Sequence, residues 1–151
     1  FKDYITRTER SKELMAMGIP LNTDSTLKGQ TVFLAERAGE LMQENIITDR
    51  TVIDVMAFAR ASKSMNHLDK DDFENYAKNL ISEYDHIFYV SPEGVEMEDN
   101  GVRETDAEYR NLIDFTINNI ITLFSHKMKN LHNISGTTES RIEQIKRAIS
   151  L

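Results

Sequence analysis

Short apolar runs alternate with helix-patterned stretches along this chain, and no hairpin signal joins one run to the next. The runs are Tyr4-Ile5-Thr6, Asn45-Ile46-Ile47-Thr48-Asp49, His86-Ile87-Phe88-Tyr89-Val90 and the weaker Lys129-Asn130-Leu131-His132-Asn133-Ile134. Strands separated by helices must return through crossovers, and crossovers make neighbours parallel. The pattern therefore predicts an α/β fold, a parallel sheet with helices on both faces. At 151 residues and 40% hydrophobic, residues 1–151 suit a single domain that buries its own core.

The helices are read from apolar spacing and capping. A first short helix ends near Gly18 and Pro20, whose backbones stop it. From Gln30 to Glu44, Leu34, Ala38, Leu41 and Met42 give one buried face, while Glu36, Glu40 and Glu44 make an exposed one. Thr51-Val52-Ile53-Asp54 has the form of a capping box, so a helix starts directly after Arg50. Apolar residues cover its circumference from Val52 to Ala59, which predicts packing on several sides. The next helix opens at Asp69 with Phe73, Tyr76, Ala77, Leu80, Ile81 and Tyr84 as its stripe. Ile113, Ile117, Ile120, Ile121 and Phe124 line another, and Thr137 or Thr138 caps a last helix bearing Ile142, Ile145, Ala148 and Ile149.

Composition removes several function classes. A net charge of -7 argues against a nucleic-acid duplex as partner, because phosphate backbones are held by clustered Lys and Arg. The chain has no cysteine, which excludes disulfides and thiolate metal sites, and makes a cytoplasmic location the default. No apolar run approaches the roughly 20 residues that cross a bilayer, so no membrane partner is expected. His67, His86, His126 and His132 show no spacing that converges on a zinc ion.

Four constellations carry possible chemistry. Asp49-Arg50 sits between a strand and a capped helix, the place where open parallel sheets bind ligands. A carboxylate there would take a proton from a hydroxyl or hold hydrated Mg²⁺, and the Arg would bind a phosphate; a strand end reaching water explains the pair as well. The polar stretch 93–110 holds Asp99-Asn100-Gly101-Val102-Arg103 and Arg110, and would act as a lid bringing both arginines over phosphates or remain a solvated acidic loop. Arg7-Thr8-Glu9-Arg10 follows the first strand and suits an anionic substrate or the start of a surface helix. Ser135-Gly136-Thr137 is a turn into a helix whose backbone would approach a purine ring, although such turns are common.

Taken in order, these segments resemble the P-loop kinases of small molecules, in the AAA-like branch of ribosylnicotinamide, nucleoside and thymidylate kinases. The resemblance spans most of the chain and implies ATP-dependent phosphoryl transfer to a small hydroxyl-bearing acceptor, with ATP and Mg²⁺ as cofactors. It implies that Asp49 stands beside the reacting hydroxyl or the metal, and that Arg50, Arg7 and Arg10 bind the acceptor. Arg103 and Arg110 would be lid arginines, and Ser135 and Gly136 would border the adenine. A homodimer is compatible with it. These kinases need a Gly-x-x-x-x-Gly-Lys-[Ser/Thr] loop, which residues 1–151 do not contain. The expectation is that the first strand and this loop lie ahead of Phe1 in a longer polypeptide. The alternative is a non-catalytic nucleotide-binding or regulatory module with a degenerate P-loop fold, and a third reading is an unrelated doubly wound domain without phosphate chemistry.

Overall fold

The structure is a computed structural model that describes residues 2–92 and 107–150. Its elements run β1 (Ile5–Arg7), α1 (Ser11–Ala16), α2 (Leu27–Glu40), β2 (Ile46–Thr48), α3 (Val52–Ala61), α4 (His67–Ala77), β3 (Ile87–Val90), α5 (Ala107–Phe124), β4 (Leu131–Ile134) and α6 (Thr138–Ala148). Every strand expected from the sequence is present, and the fold is mixed α/β. The single continuous sheet is corrected: among the described residues β1 pairs with β2 and β3 with β4, each pair parallel, and the two pairs are not joined.

Local chemistry accounts for the helix boundaries. Thr51 Oγ1 accepts from the Ile53 N–H at 3.0 Å and the Thr51 N–H donates to Asp54 Oδ2 at 2.8 Å, which closes the expected capping box. Asn66 caps α4 two residues earlier than expected, by accepting from the Asp69 N–H at 2.8 Å. Thr137, not Thr138, caps α6. Gly18 ends the α1 region at φ +88°, a left-handed conformation that glycine adopts without a Cβ clash.

The core is built around α3. Val52, Ile53, Val55, Met56, Ala57 and Ala59 are buried, as all-round apolar patterning predicts, and α3 packs on α2, α4 and α5. Phe73 and Ile81 from the α4 side and Ile120 and Phe124 from α5 complete the cluster.

Several expected faces are corrected. Met42 is exposed, at 87%, because α2 ends at Glu40 and the helical phase does not persist, and Tyr76, still within α4, is exposed at 62%. Ile142 is exposed and α6 buries no residue fully. Glu40, expected on a solvated face, is buried beside Arg37, its Oε1 accepting from Arg37 Nε at 2.6 Å. The i,i+3 spacing brings the two into register on the inward side of the helix. Among the described residues no helix is long and apolar enough to cross a membrane.

The strand ends carry one titratable contact. His86 Nδ1 and His132 Nε2 lie 3.0 Å apart, and Phe88 stacks on both rings. Burial, reinforced by His86, holds His132 below the ordinary histidine value of 6.5. A depressed value means that the folded state binds fewer protons than the unfolded state. This contribution to stability is therefore complete above the unfolded value and is lost as pH falls through it. The urea midpoint should fall between about pH 7.5 and about pH 5, and His132→Asn should make that fall shallower.

Candidate active site

A cavity of about 1030 Å³ runs along β2 and β3. Every residue of β2 and of β3 lines it, and no residue of β1 or β4 does. Asp49, Arg50 and Arg110 all line it, although Arg110 lies 60 residues beyond Arg50 in the chain. Asp49 and Arg50 come from the turn after β2, and Arg110 from the first turn of α5.

Asp49 directly follows β2, tied in by its own N–H, which donates to the Arg7 carbonyl at 2.9 Å. Its side chain is exposed, and its carboxylate has no hydrogen-bond or ion-pair partner among the described residues. Arg50 takes φ +98°, a region that costs a residue with a Cβ on the order of 1–3 kcal/mol and persists only where surroundings enforce it. Here the Thr48 hydroxyl donates to the Arg50 carbonyl at 2.8 Å, the guanidinium lies 5.3 Å from the Phe58 ring centroid, and Asp54 is 3.6 Å away. Strain of this kind at a strand-to-helix turn is frequently tied to function, because it aims a side chain where ordinary geometry would not.

Arg110 donates to the Pro92 carbonyl at 2.8 Å from the first turn of α5. It belongs to α5, which packs against the core, while most of the expected lid stretch 93–110 lies outside the described residues. Arg103 and Asp99-Asn100-Gly101-Val102 fall outside the described residues. Four residues after Arg110, Asp114 accepts from the Tyr89 hydroxyl, and Asn118 donates to the same hydroxyl at 3.1 Å. Burial, followed by the Asp114 contact, pushes the Tyr89 phenol up, so it stays a donor at neutral pH.

At another part of the wall, Tyr84 accepts from the Val52 N–H at 3.1 Å, and burial raises it well above the ordinary phenol range. Glu40 lines the same cavity. Sequence reasoning missed Glu40, Tyr84, Tyr89 and Asp114. The available signals were the i,i+4 spacing of Arg110 and Asp114 and the phenols before and within the third strand.

The other candidates stand elsewhere. Arg7 is exposed on β1 outside the cavity wall. Arg10 is held by Glu13 at 2.6 Å and by Glu36 at 2.7 Å. At the end of β4, Gln144 Nε2 donates to the Ser135 carbonyl at 2.7 Å and Arg141 Nε donates to the Gly136 carbonyl at 2.8 Å, so helix α6 already satisfies this turn. Gly136 itself takes φ +100°, a region that favours glycine.

Among the described residues no three His, Asp or Glu side chains gather as a metal cage. A lone exposed carboxylate such as Asp49 suits Mg²⁺, which keeps most of its waters and leans on one or two carboxylates plus substrate phosphates. No protein-family model, curated protein or solved structure matches the chain.

Proposed function

We propose that the cavity is the acceptor side of a phosphoryl-transfer site, in a kinase of the P-loop type that acts on a nucleoside, nucleotide or related small metabolite. One observation carries the reading: a carboxylate with no hydrogen-bond or ion-pair partner among the described residues and two guanidinium-bearing residues line one cavity, which also takes in β2 and β3. The acceptor hydroxyl attacks the terminal phosphorus of ATP, the bond from that phosphorus to the bridging oxygen breaks, and ADP leaves. Asp49 orients the hydroxyl and takes its proton. Arg50 and Arg110 hold anionic oxygens, and the apolar wall of Ile53, Phe58 and Ile113 excludes water from the acceptor. Mg²⁺, carried by Asp49 through water, would supply charge neutralisation on the phosphates. The donor's phosphates would be held by a glycine-rich loop of a kind that does not occur within residues 1–151.

The complete polypeptide, incubated with ATP, Mg²⁺ and a panel of nucleosides and nucleotides, should form ADP and phosphorylated acceptor in equal amounts, and only with acceptor present. ATP binding without transfer to any acceptor would favour the non-catalytic regulatory module. Neither binding nor transfer would remove both readings.

A further inference from the structure

Two imidazoles meet head-on at the start of β3. His86 Nδ1 and His132 Nε2 lie 3.0 Å apart, while the ring centroids lie 5.2 Å apart with 23° between the planes. That centroid distance is close to the nitrogen contact lengthened by one ring radius at each end, so both nitrogens sit on the line that joins the rings. The rings meet edge to edge. Each nitrogen lone pair lies in its own ring plane and therefore points along this line, and one N–H···N hydrogen bond accounts for the contact as it stands.

The pair is held from several sides. Phe88 pairs with His132 across β3 and β4, and the alternation of strand side chains puts His86, Phe88 and His132 on one face. The Phe88 ring lies nearly parallel to both imidazoles, 4.8 Å from His132 and 6.1 Å from His86 between centroids. Asn130 fixes the backbone on either side of His86: its Nδ2 donates to the Asp85 carbonyl at 2.8 Å, and its carbonyl accepts from the Ile87 N–H at 2.8 Å. The outer ring nitrogens, His86 Nε2 and His132 Nδ1, have no hydrogen-bond or ion-pair partner among the described residues. Either neutral ring can therefore carry its proton on the outer nitrogen, and both inner nitrogens can present lone pairs at once.

We propose that His86 and His132 form a two-coordinate site for a monovalent closed-shell cation, Cu⁺, which takes the place of the hydrogen between their facing nitrogens. Ligand number and direction choose the ion. Zn²⁺ takes four ligands and Mg²⁺ and Ca²⁺ take six or more, whereas Cu⁺ is satisfied by two donors on opposite sides, and imidazole suits copper. Two metal–nitrogen bonds of about 2 Å set the nitrogens about 4 Å apart, so the pair opens by about 1 Å, which small rotations of the two side chains supply. The displaced hydrogen moves to the outer nitrogen of its own ring, so no proton leaves the pair and nothing is oxidised or reduced. His86 lines the large cavity, which gives the ion a way in. Residues 1–151 contain no cysteine, so within them only the seven methionines offer Cu⁺ a sulfur ligand. Nothing in this site depends on the phosphoryl-transfer reading: Arg110 bonds Pro92 beyond the end of β3, and His86 precedes its start.

Anaerobic titration of the complete polypeptide with Cu⁺, in competition with the chromophoric chelator bicinchoninate, tests the proposal together with X-ray absorption of the complex. One equivalent of Cu⁺ should bind, with two nitrogen neighbours in line and no sulfur. His86→Asn and His132→Asn should each weaken binding on the order of 100-fold, the upper end of what losing even an outer partner of a metal ligand costs. Affinity unchanged in both variants would overturn the proposal. So would sulfur neighbours, which would place the ion on methionine or on a cysteine outside residues 1–151, and so would three or more neighbours of any kind. Circular dichroism checks that each variant folds; where one does not, the absorption spectrum of the wild-type complex decides alone. Phosphate transfer, found or not found, alters none of these outcomes, so this site and the kinase reading stand or fall separately.

Discussion

Replacing Asp49 with Asn in the complete polypeptide should lower kcat for phosphoryl transfer by about 10²–10⁴-fold, the usual contribution of a positioned general base. The melting temperature should not move, because the carboxylate makes no hydrogen bond or ion pair among the described residues and is solvent-exposed. KM for ATP should stay within a few-fold, since Asp49 sits on the acceptor side and the donor is held elsewhere. This separation is what makes the variant informative. Arg50 is a poorer first target: its guanidinium is engaged with Phe58 and Asp54 and its backbone is strained, so Arg50→Ala would change packing and chemistry together. Steady-state kinetics and a thermal scan on the same preparation give the answer. Turnover unchanged in Asp49→Asn would remove the carboxylate from the chemistry and leave it a solvated strand end.

Much of this fold was legible because its signals are local. The capping box at Thr51 and Asp54 and the all-round apolar α3 each depend on residues close in sequence, and the parallel pairing follows from strands that alternate with helices. What stayed hidden depends on register across distance. The contact of His86 with His132 crosses 46 residues, and Asp49 and Arg110, which line one cavity, stand 61 residues apart in the chain. Neither is encoded in any short window. The split into two strand pairs was equally invisible, because a run such as Ile46-Ile47-Thr48 carries no mark of which edges will find partners. Glu40 was misread for another reason. Three glutamates at steps of four look like a wet face until the arginine three residues before one of them is followed inward.

That buried pair carries the largest stability effect expected here. Arg37 and Glu40 have side chains 3% and 11% exposed, with Nε and Oε1 2.6 Å apart at the end of α2. Taking both charges out of water is costly, and their mutual attraction mainly offsets that cost, so the pair adds little net stability as a pair. Breaking it is different. Arg37→Ala leaves the Glu40 carboxylate enclosed without its cation, which should destabilise the fold by about 3–5 kcal/mol. For a domain of this size that is a drop of roughly 10 °C in melting temperature. Replacing both partners with apolar residues of similar length, Arg37→Met with Glu40→Met, removes the stranded charge along with its partner and should recover most of the loss. A double-mutant cycle by urea unfolding reads the coupling directly. A loss below about 1 kcal/mol for Arg37→Ala would show that water reaches Glu40 from the cavity it lines, and that the pair behaves as a surface one. The cavity therefore enters the stability argument as well as the chemical one.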